Sequence, residues 1–221
     1  LWVTDGLYSV SCAVNFYFYF CFINAETASD KDFSEVDGLL VPGGFGPRGV
    51  EGKIAAAKYC IKNNKPYLGL CLGLQVAVIA AARQGGVQDA NSEEFGAKSG
   101  ANVIYIMDGQ QGKQSTGGTM RLGDYESVLI PNSQAARAYG SNEVVERHRH
   151  RYEVNQDFTQ SIEQGGLIIS GTSPDGRLVE FVEAPANDYF VATQAHPEFK
   201  VRPFRPHPLF TGLMRAAKSS K

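Results

Sequence analysis

Pro66-Tyr67-Leu68-Gly69-Leu70-Cys71-Leu72-Gly73-Leu74-Gln75-Val76-Ala77-Val78-Ile79 is the stretch that decides the fold. Pro66 to Leu70 is an apolar run of strand length, and the Ala/Val/Leu run from Leu74 to Arg83 predicts a helix. Between them stands Gly69-Leu70-Cys71-Leu72-Gly73, a G-x-C-x-G turn. A side chain on such a strand-to-helix turn is thrust out on strained backbone, and glycine on either side lets neighbouring backbone pack closely.

The same unit occurs just upstream. Val36 to Val41 reads as a buried strand closed by Pro42-Gly43-Gly44, after which Ile54, Ala57 and Ile61 recur at helical spacing up to Asn63-Asn64. Downstream, Val103 to Met107, Leu167 to Ser170, Leu178 to Glu183 and Tyr189 to Gln194 read as strands, the last two joined by a turn at Ala186-Asn187-Asp188. Gly109 to Gly118 reads as a loop, and Pro208 to Lys218 as a closing helix. Strands alternating with helices predict an α/β class: a mostly parallel central sheet, helices on both faces, and ligands outside the carboxyl ends of the strands. Both glycine turns sit at such ends.

Three elements carry chemistry. Cys71 precedes a helix, whose N-terminal dipole and free amides favour a thiolate; the pentapeptide alone fits a buried structural cysteine equally well. Gln194-Ala195-His196-Pro197-Glu198 places a base at the end of a strand, and Glu198, two residues on, reaches the same side and can fix the imidazole's tautomer. Taken alone, a His-x-Glu also fits a loop histidine with an unrelated acid nearby. Pro42-Gly43-Gly44-Phe45-Gly46 offers bare backbone for an oxyanion, with the amides of Gly44 and Leu72 as donors. It lacks the Lys-Ser/Thr ending of a phosphate-binding P-loop.

Composition narrows the class. An apolar share of 43% in 221 residues suffices for one sizeable core, so residues 1–221 are read as one domain. Twenty-one lysines and arginines against 23 acids give a net charge of -2, which argues against a nucleic-acid partner. Arg147, His148, Arg149, His150 and Arg151 form a basic run, read as solvated or at an interface. Cys12, Cys21, Cys60 and Cys71 show no CxxC pair, so no metal site and no disulfide framework is expected, and the cytoplasm is the default location. Val14 to Ile23, VNFYFYFCFI, is too short to span a membrane and is read as a buried strand.

Glycine loop, cysteine elbow and His-Pro-Glu, in that order, resemble the triad or class I glutamine amidotransferases. VPGGFGPRGVEGKIAAAKYC, PYLGLCLGLQVAVI, DANSEEF, GGTMRLG, ERHRHRYEVN and ATQAHPEFKVRP are similar to the glutaminase domain of CTP synthases. The resemblance implies a flavodoxin-like fold and a catalytic triad of Cys71, His196 and Glu198. It further implies glutamine and oxyanion contacts from Gly44, Leu72, Gly73, Leu74 and Gln75, recognition of the amino-acid end by Glu94 and Arg151, and a link from Arg48 to activation by GTP. A zwitterionic ligand asks for one acid and one guanidinium, which Glu94 and Arg151 supply.

The family pattern also implies partners: L-glutamine, and a synthetase domain of the same polypeptide that uses ATP, Mg and UTP and forms homo-oligomers. No cofactor is expected in the glutaminase domain, and 221 residues leave no room for the synthetase domain. Residues 1–35 lack the Gly-Lys-Tyr element with which this domain usually opens. Rival readings are the glutaminase of another synthetase, a γ-glutamyl hydrolase, or a non-catalytic module for assembly or regulation.

Overall fold

The computed structural model describes residues 18–96, 101–106, 120–202 and 205–219. The expected Gly109 to Gly118 loop and residues 14–17 of the aromatic run lie outside them. In chain order the described part runs α1 (Asp30–Ser34), β1 (Leu39–Val41), α2 (Val50–Asn63), β2 (Tyr67–Leu70), α3 (Leu72–Gln84), β3 (Asn91–Ser92) and β4 (Asn102–Ile106). It continues with β5 (Arg121–Leu129), α4 (Gln134–Tyr139), β6 (Glu143–His150), β7 (Tyr152–Val154), α5 (Thr159–Gln164), β8 (Ile168–Thr172), β9 (Val179–Glu183), β10 (Phe190–Thr193) and α6 (Pro208–Ser219).

Among the described residues a seven-stranded sheet has the order β1-β2-β10-β9-β8-β5-β6, and a smaller sheet the order β3-β4-β7. The α/β class is found. The expected parallel order holds across β1, β2 and β10, whereas β9, β8, β5 and β6 follow antiparallel, so the sheet is mixed rather than mostly parallel. The short turn between β9 and β10 explains the switch, because parallel neighbours need a long crossover.

Alternating side chains of the parallel strands feed two cores. Tyr67, Phe190 and Ala192 join residues of α2, α3 and α5 on one face; Leu68, Leu70 and Val191 join Ala135, Leu209, Phe210 and Leu213 of α4 and α6 on the other. Helices therefore cover both faces, as a sheet of continuous apolar runs requires. On the first face the Tyr67 and Phe190 rings stack at 4.3 Å, and the Tyr67 hydroxyl donates to the Gly73 carbonyl at 2.9 Å. Helix α4 begins on a buried carboxylate: Glu183 accepts from the amides of Gln134 and Ala135 at 2.6 and 2.8 Å, which satisfies two free donors of the first turn.

The aromatic run does not form the expected strand over residues 18–23. Tyr19 and Phe22 face solvent, while Phe18 and Phe20 only flank the second core. The basic run also differs from its reading. It lies on β6, where exposed and buried positions alternate, so Arg147 and Arg149 point outward while His148 and His150 are buried.

The elbow rests on one close approach. A β-carbon at Gly73 would stand 2.2 Å from the Val41 carbonyl oxygen, and one at Gly69 would stand 2.7 Å from Gly73 backbone. Gly73→Ala must therefore push α3 away from β1. The expected result is a loss of about 1–3 kcal/mol, the usual cost of overpacking, read as a lower urea midpoint at unchanged slope. An unchanged midpoint would show that α3 is free to shift.

Candidate active site

Three adjacent parallel strands deliver three segments to one place. The glycine loop follows β1, Cys71 follows β2, and Gln194-Ala195-His196 follows β10. Cys71 has φ 51 and ψ −101, which a non-glycine residue adopts only under strain. Its amide donates to the Thr193 carbonyl at 2.8 Å, extending the β2–β10 ladder into the turn. Immediately after it α3 begins, whose first amides have no intrahelical acceptor.

His196 Nδ1 lies 2.7 Å from Glu198 Oε1, and both residues are buried. The other ring nitrogen, Nε2, is buried without a hydrogen bond of ordinary length. Burial works against the imidazolium, but interactions with the Cys71 thiol and the Glu198 carboxylate outweigh it and raise the pKa to about 10. Gly43 fits against both partners: a β-carbon there would stand 2.7 Å from His196 Cε1 and 3.5 Å from Cys71 Cβ. Gly44 lies beside Leu72, whose Cδ2 would be 3.3 Å from its β-carbon.

The Gln194 side chain donates to Cys71 Sγ at 3.6 Å, and Gln75 donates to Gln194 Oε1 at 3.3 Å and to the Tyr152 carbonyl at 3.4 Å. Gln75 thus bridges α3, the segment after β10, and β7. Leu74 is buried in the first core.

A second group assembles around Glu94, which caps the glycine loop by accepting from the Gly46 amide at 2.9 Å. Burial raises its pKa, and the Gly46 bond and the charges of Arg151 and Lys53 oppose the rise. Lys53 is itself lowered by burial and held up by Glu94. Arg48 is exposed and paired with Glu26 at 3.1 Å.

The sequence reading did not single out Gly43, Lys53 or Gln194. Gln194 could have been found from its place two residues before His196, on the same side of an extended chain; Lys53 could not, because it reaches Glu94 only through the fold. Among the described residues no group of three or more His, Cys, Asp or Glu is placed to hold a metal, and no helix is long and apolar enough to cross a membrane.

Residues 2–216 match the family described as Glutamine amidotransferase class-I. The chain is 53% identical over 192 residues to a CTP synthase of Methanocaldococcus jannaschii, covering 86% of this chain and 36% of that protein. It is 55% identical over 202 residues to a CTP synthase of Rhodococcus opacus, covering 89% of this chain and 34% of the relative. It therefore spans only those fractions of the relatives' length. The fold superimposes on a Trypanosoma brucei CTPS glutaminase domain with bound acivicin at a TM-score of 0.92 and 38% identity, covering 100% of this chain and 88% of the other. With its elbow cysteine, glycine loop and His-Glu pair set on three parallel strand ends, the chain belongs to the class I glutamine amidotransferase family, and within it is homologous to the glutaminase domains of CTP synthases.

Proposed function

We propose that residues 1–221 form one glutaminase domain that hydrolyses L-glutamine to glutamate and ammonia. The observation that carries this reading is the convergence of Cys71, His196–Glu198 and the Gly43-Gly44 loop at the ends of β2, β10 and β1. Cys71 Sγ attacks the amide carbon, and the oxyanion is received by the amides of Gly44 and Leu72, with Gly73 at the start of α3 adding to the favourable dipole. His196, raised to about 10, holds its proton at neutral pH and has it ready for the leaving nitrogen. Ammonia departs and a glutamyl thioester remains. His196 then takes a proton from water, whose oxygen attacks the thioester, and glutamate leaves as the Cys71 thiolate and the His196 imidazolium are restored. Glu198 keeps the imidazole's orientation throughout.

Gln75 holds the Gln194 amide against the sulfur, and Leu74 anchors this turn in the core. Glu94 takes the substrate's ammonium and Arg151 its carboxylate; burial raises the Glu94 pKa, and the Gly46 amide, Arg151 and Lys53 oppose that rise. In the longer protein we place this domain beside a synthetase domain of the same polypeptide, which uses ATP and Mg to aminate UTP to CTP with the ammonia made here. No residue of this chain is assigned to ATP or Mg. The whole enzyme is proposed as a cytoplasmic homo-oligomer, with Arg48 linked to its GTP activator: an exposed guanidinium on the glycine loop is free to exchange Glu26 for a phosphate.

Cys71→Ala should release no glutamate while keeping its fold by circular dichroism, and an electrophilic glutamine analogue should label Cys71 but not Cys12, Cys21 or Cys60. Because the thiol is what most raises His196, the same variant should lower the imidazole's NMR titration midpoint from about 10. Glutamate release near the parent level would overturn the mechanism.

Removing one charge of a buried, hydrogen-bonded pair costs roughly 2–5 kcal/mol. Glu94→Ala and Arg151→Ala should therefore raise KM for glutamine strongly, while iodoacetamide, which makes no amino-acid contacts, alkylates Cys71 at the parent rate. Parent-like kinetics in both variants would remove them from recognition.

In the full-length enzyme Arg48→Ala should lose most of the stimulation by GTP and keep its basal glutaminase rate. An unchanged response to GTP would strike Arg48 from the account.

A further inference from the structure

Two glutamines stand enclosed beside the nucleophile: Gln194 is 0% exposed and Gln75 3%. A primary amide has a donor end and an acceptor end, so which end of a buried one faces a neighbour is a chemical choice.

That choice is set from a group that can only accept. Gln75 Nε2 lies 3.4 Å from the Tyr152 carbonyl oxygen and 3.3 Å from Gln194 Oε1. Turned over, Gln75 would press its own oxygen against that carbonyl, so its nitrogen stands there and gives one hydrogen to each oxygen. The Gln194 atom that meets this nitrogen is therefore the oxygen, and the Gln194 amide nitrogen faces Cys71 Sγ at 3.6 Å. The backbone of Gln194 is tied as well, since its amide donates to the Glu180 carbonyl at 2.9 Å. One residue earlier, the Thr193 carbonyl accepts from the Cys71 amide at 2.8 Å. The donor is thus in place before a substrate arrives, and a preorganised N–H needs no reorganisation when charge appears on the atom it faces.

A hydrogen bond to an ion in a dry site is roughly twice as strong as one to a neutral group, so an N–H aimed at sulfur favours thiolate over thiol. The charged groups at the sulfur are His196 and, behind it, Glu198. On the strands behind Gln194, burial holds His148, His150 and Glu153 toward their neutral forms, and Glu180 is paired with Arg121. We propose that Gln194 is a catalytic residue whose side-chain N–H is the fixed donor to the Cys71 sulfur and stabilises it as the anion, and that Gln75 is the positioning residue that decides which end of the Gln194 amide the sulfur meets. The proposal deepens the glutaminase reading above and rests on it.

In the full 221-residue chain, Gln194→Met keeps the length of the side chain and removes the donor. Gln75→Met leaves Gln194 in place with nothing to choose its end. The readout is the rate at which iodoacetamide alkylates Cys71, located by peptide mapping, as a function of pH. Gln194→Met should lower that rate about tenfold on the acid limb, the scale of one hydrogen bond to a charged group, and so move the limb up by about one pH unit. At high pH, where the sulfur ionises without help, variant and parent rates should converge. Gln75→Met should move the limb the same way with a loss of about threefold. Both variants should keep the His196 titration at about 10, because Cys71 and Glu198 remain. The acid limb of kcat/KM for glutamine should follow the alkylation limb. That last arm depends on the glutaminase reading; alkylation does not, so failure of that reading leaves the alkylation profile to decide. The proposal is overturned if the Gln194→Met profile superimposes on the parent's, if its rate falls by one factor at every pH, as a displaced sulfur would give, or if Gln75→Met leaves the profile unmoved. Should Gln194→Met fail to fold, the Gln75→Met profile decides alone.

Discussion

Every part of the site hangs on the meeting of three strand ends, and on the two glycines that let α3 sit close enough to share it. Cys71 is held at positive φ because its amide is tied to Thr193 on one side while α3 is pressed against the Val41 carbonyl on the other. Strain of this kind costs on the order of 1–3 kcal/mol and persists only where its surroundings over-determine it. Here they do: Leu70, Leu72 and Leu74 are fully buried on either side of the cysteine. The sulfur cannot relax without withdrawing leucines from a core, so apolar burial is what keeps the thiol aimed.

The sheet divides its labour along the line between β10 and β9. On the parallel side, strand ends terminate in loops with free backbone, which is where reacting groups are useful. The antiparallel side carries polar side chains inward, which is unusual for a core face and requires each to be partnered. Glu183 is partnered by the α4 amides, Glu180 by Arg121, and Glu146 by the Tyr139 hydroxyl and His207. Ionic groups inside a protein stabilise little against apolar ones of equal volume. Their value here is directional: hydrogen bonds fix the relative positions of β6, β9 and the segment after β10 more narrowly than leucines would.

How much of this was legible in the sequence depended on whether the deciding signal was local. β2, β9 and β10 were readable because buried parallel and central strands are runs of apolar residues, and Cys71, His196 and Glu198 because turn chemistry and spacing place them. β5 and β6 were not recognised as strands. Their alternation is between buried charged or imidazole groups and exposed ones, as in Glu146, His148 and His150 against Arg147 and Arg149, so hydrophobic periodicity is silent there. Helices α4 and α5, six residues each, are too short to declare themselves by pattern. VNFYFYFCFI misled in the opposite sense: its composition asks for burial, yet Tyr19 and Phe22 stay in solvent, because apolar content does not create a neighbouring strand to pair with. Lys53 became visible only once the fold had brought Glu94 to it.

The two charged assemblies of the site follow opposite rules, and the contrast explains why they can coexist within a few residues of Arg151. Glu94, Lys53 and Arg151 are only partly buried, and the charges of Arg151 and Lys53 oppose the effect of burial on Glu94. His148, His150 and Glu153 are enclosed, and burial pushes both imidazoles down and the Glu153 carboxyl up, in each case toward the neutral form. Arg151 sits at the bend between β6 and β7, with the enclosed His150 on one side and Glu153 two residues beyond. The contact between the His148 and His150 rings at 2.9 Å lies just before that bend, while the guanidinium side chain stays partly open to solvent. A half-buried guanidinium at the bend and enclosed residues on either side of it thus share one short stretch of chain.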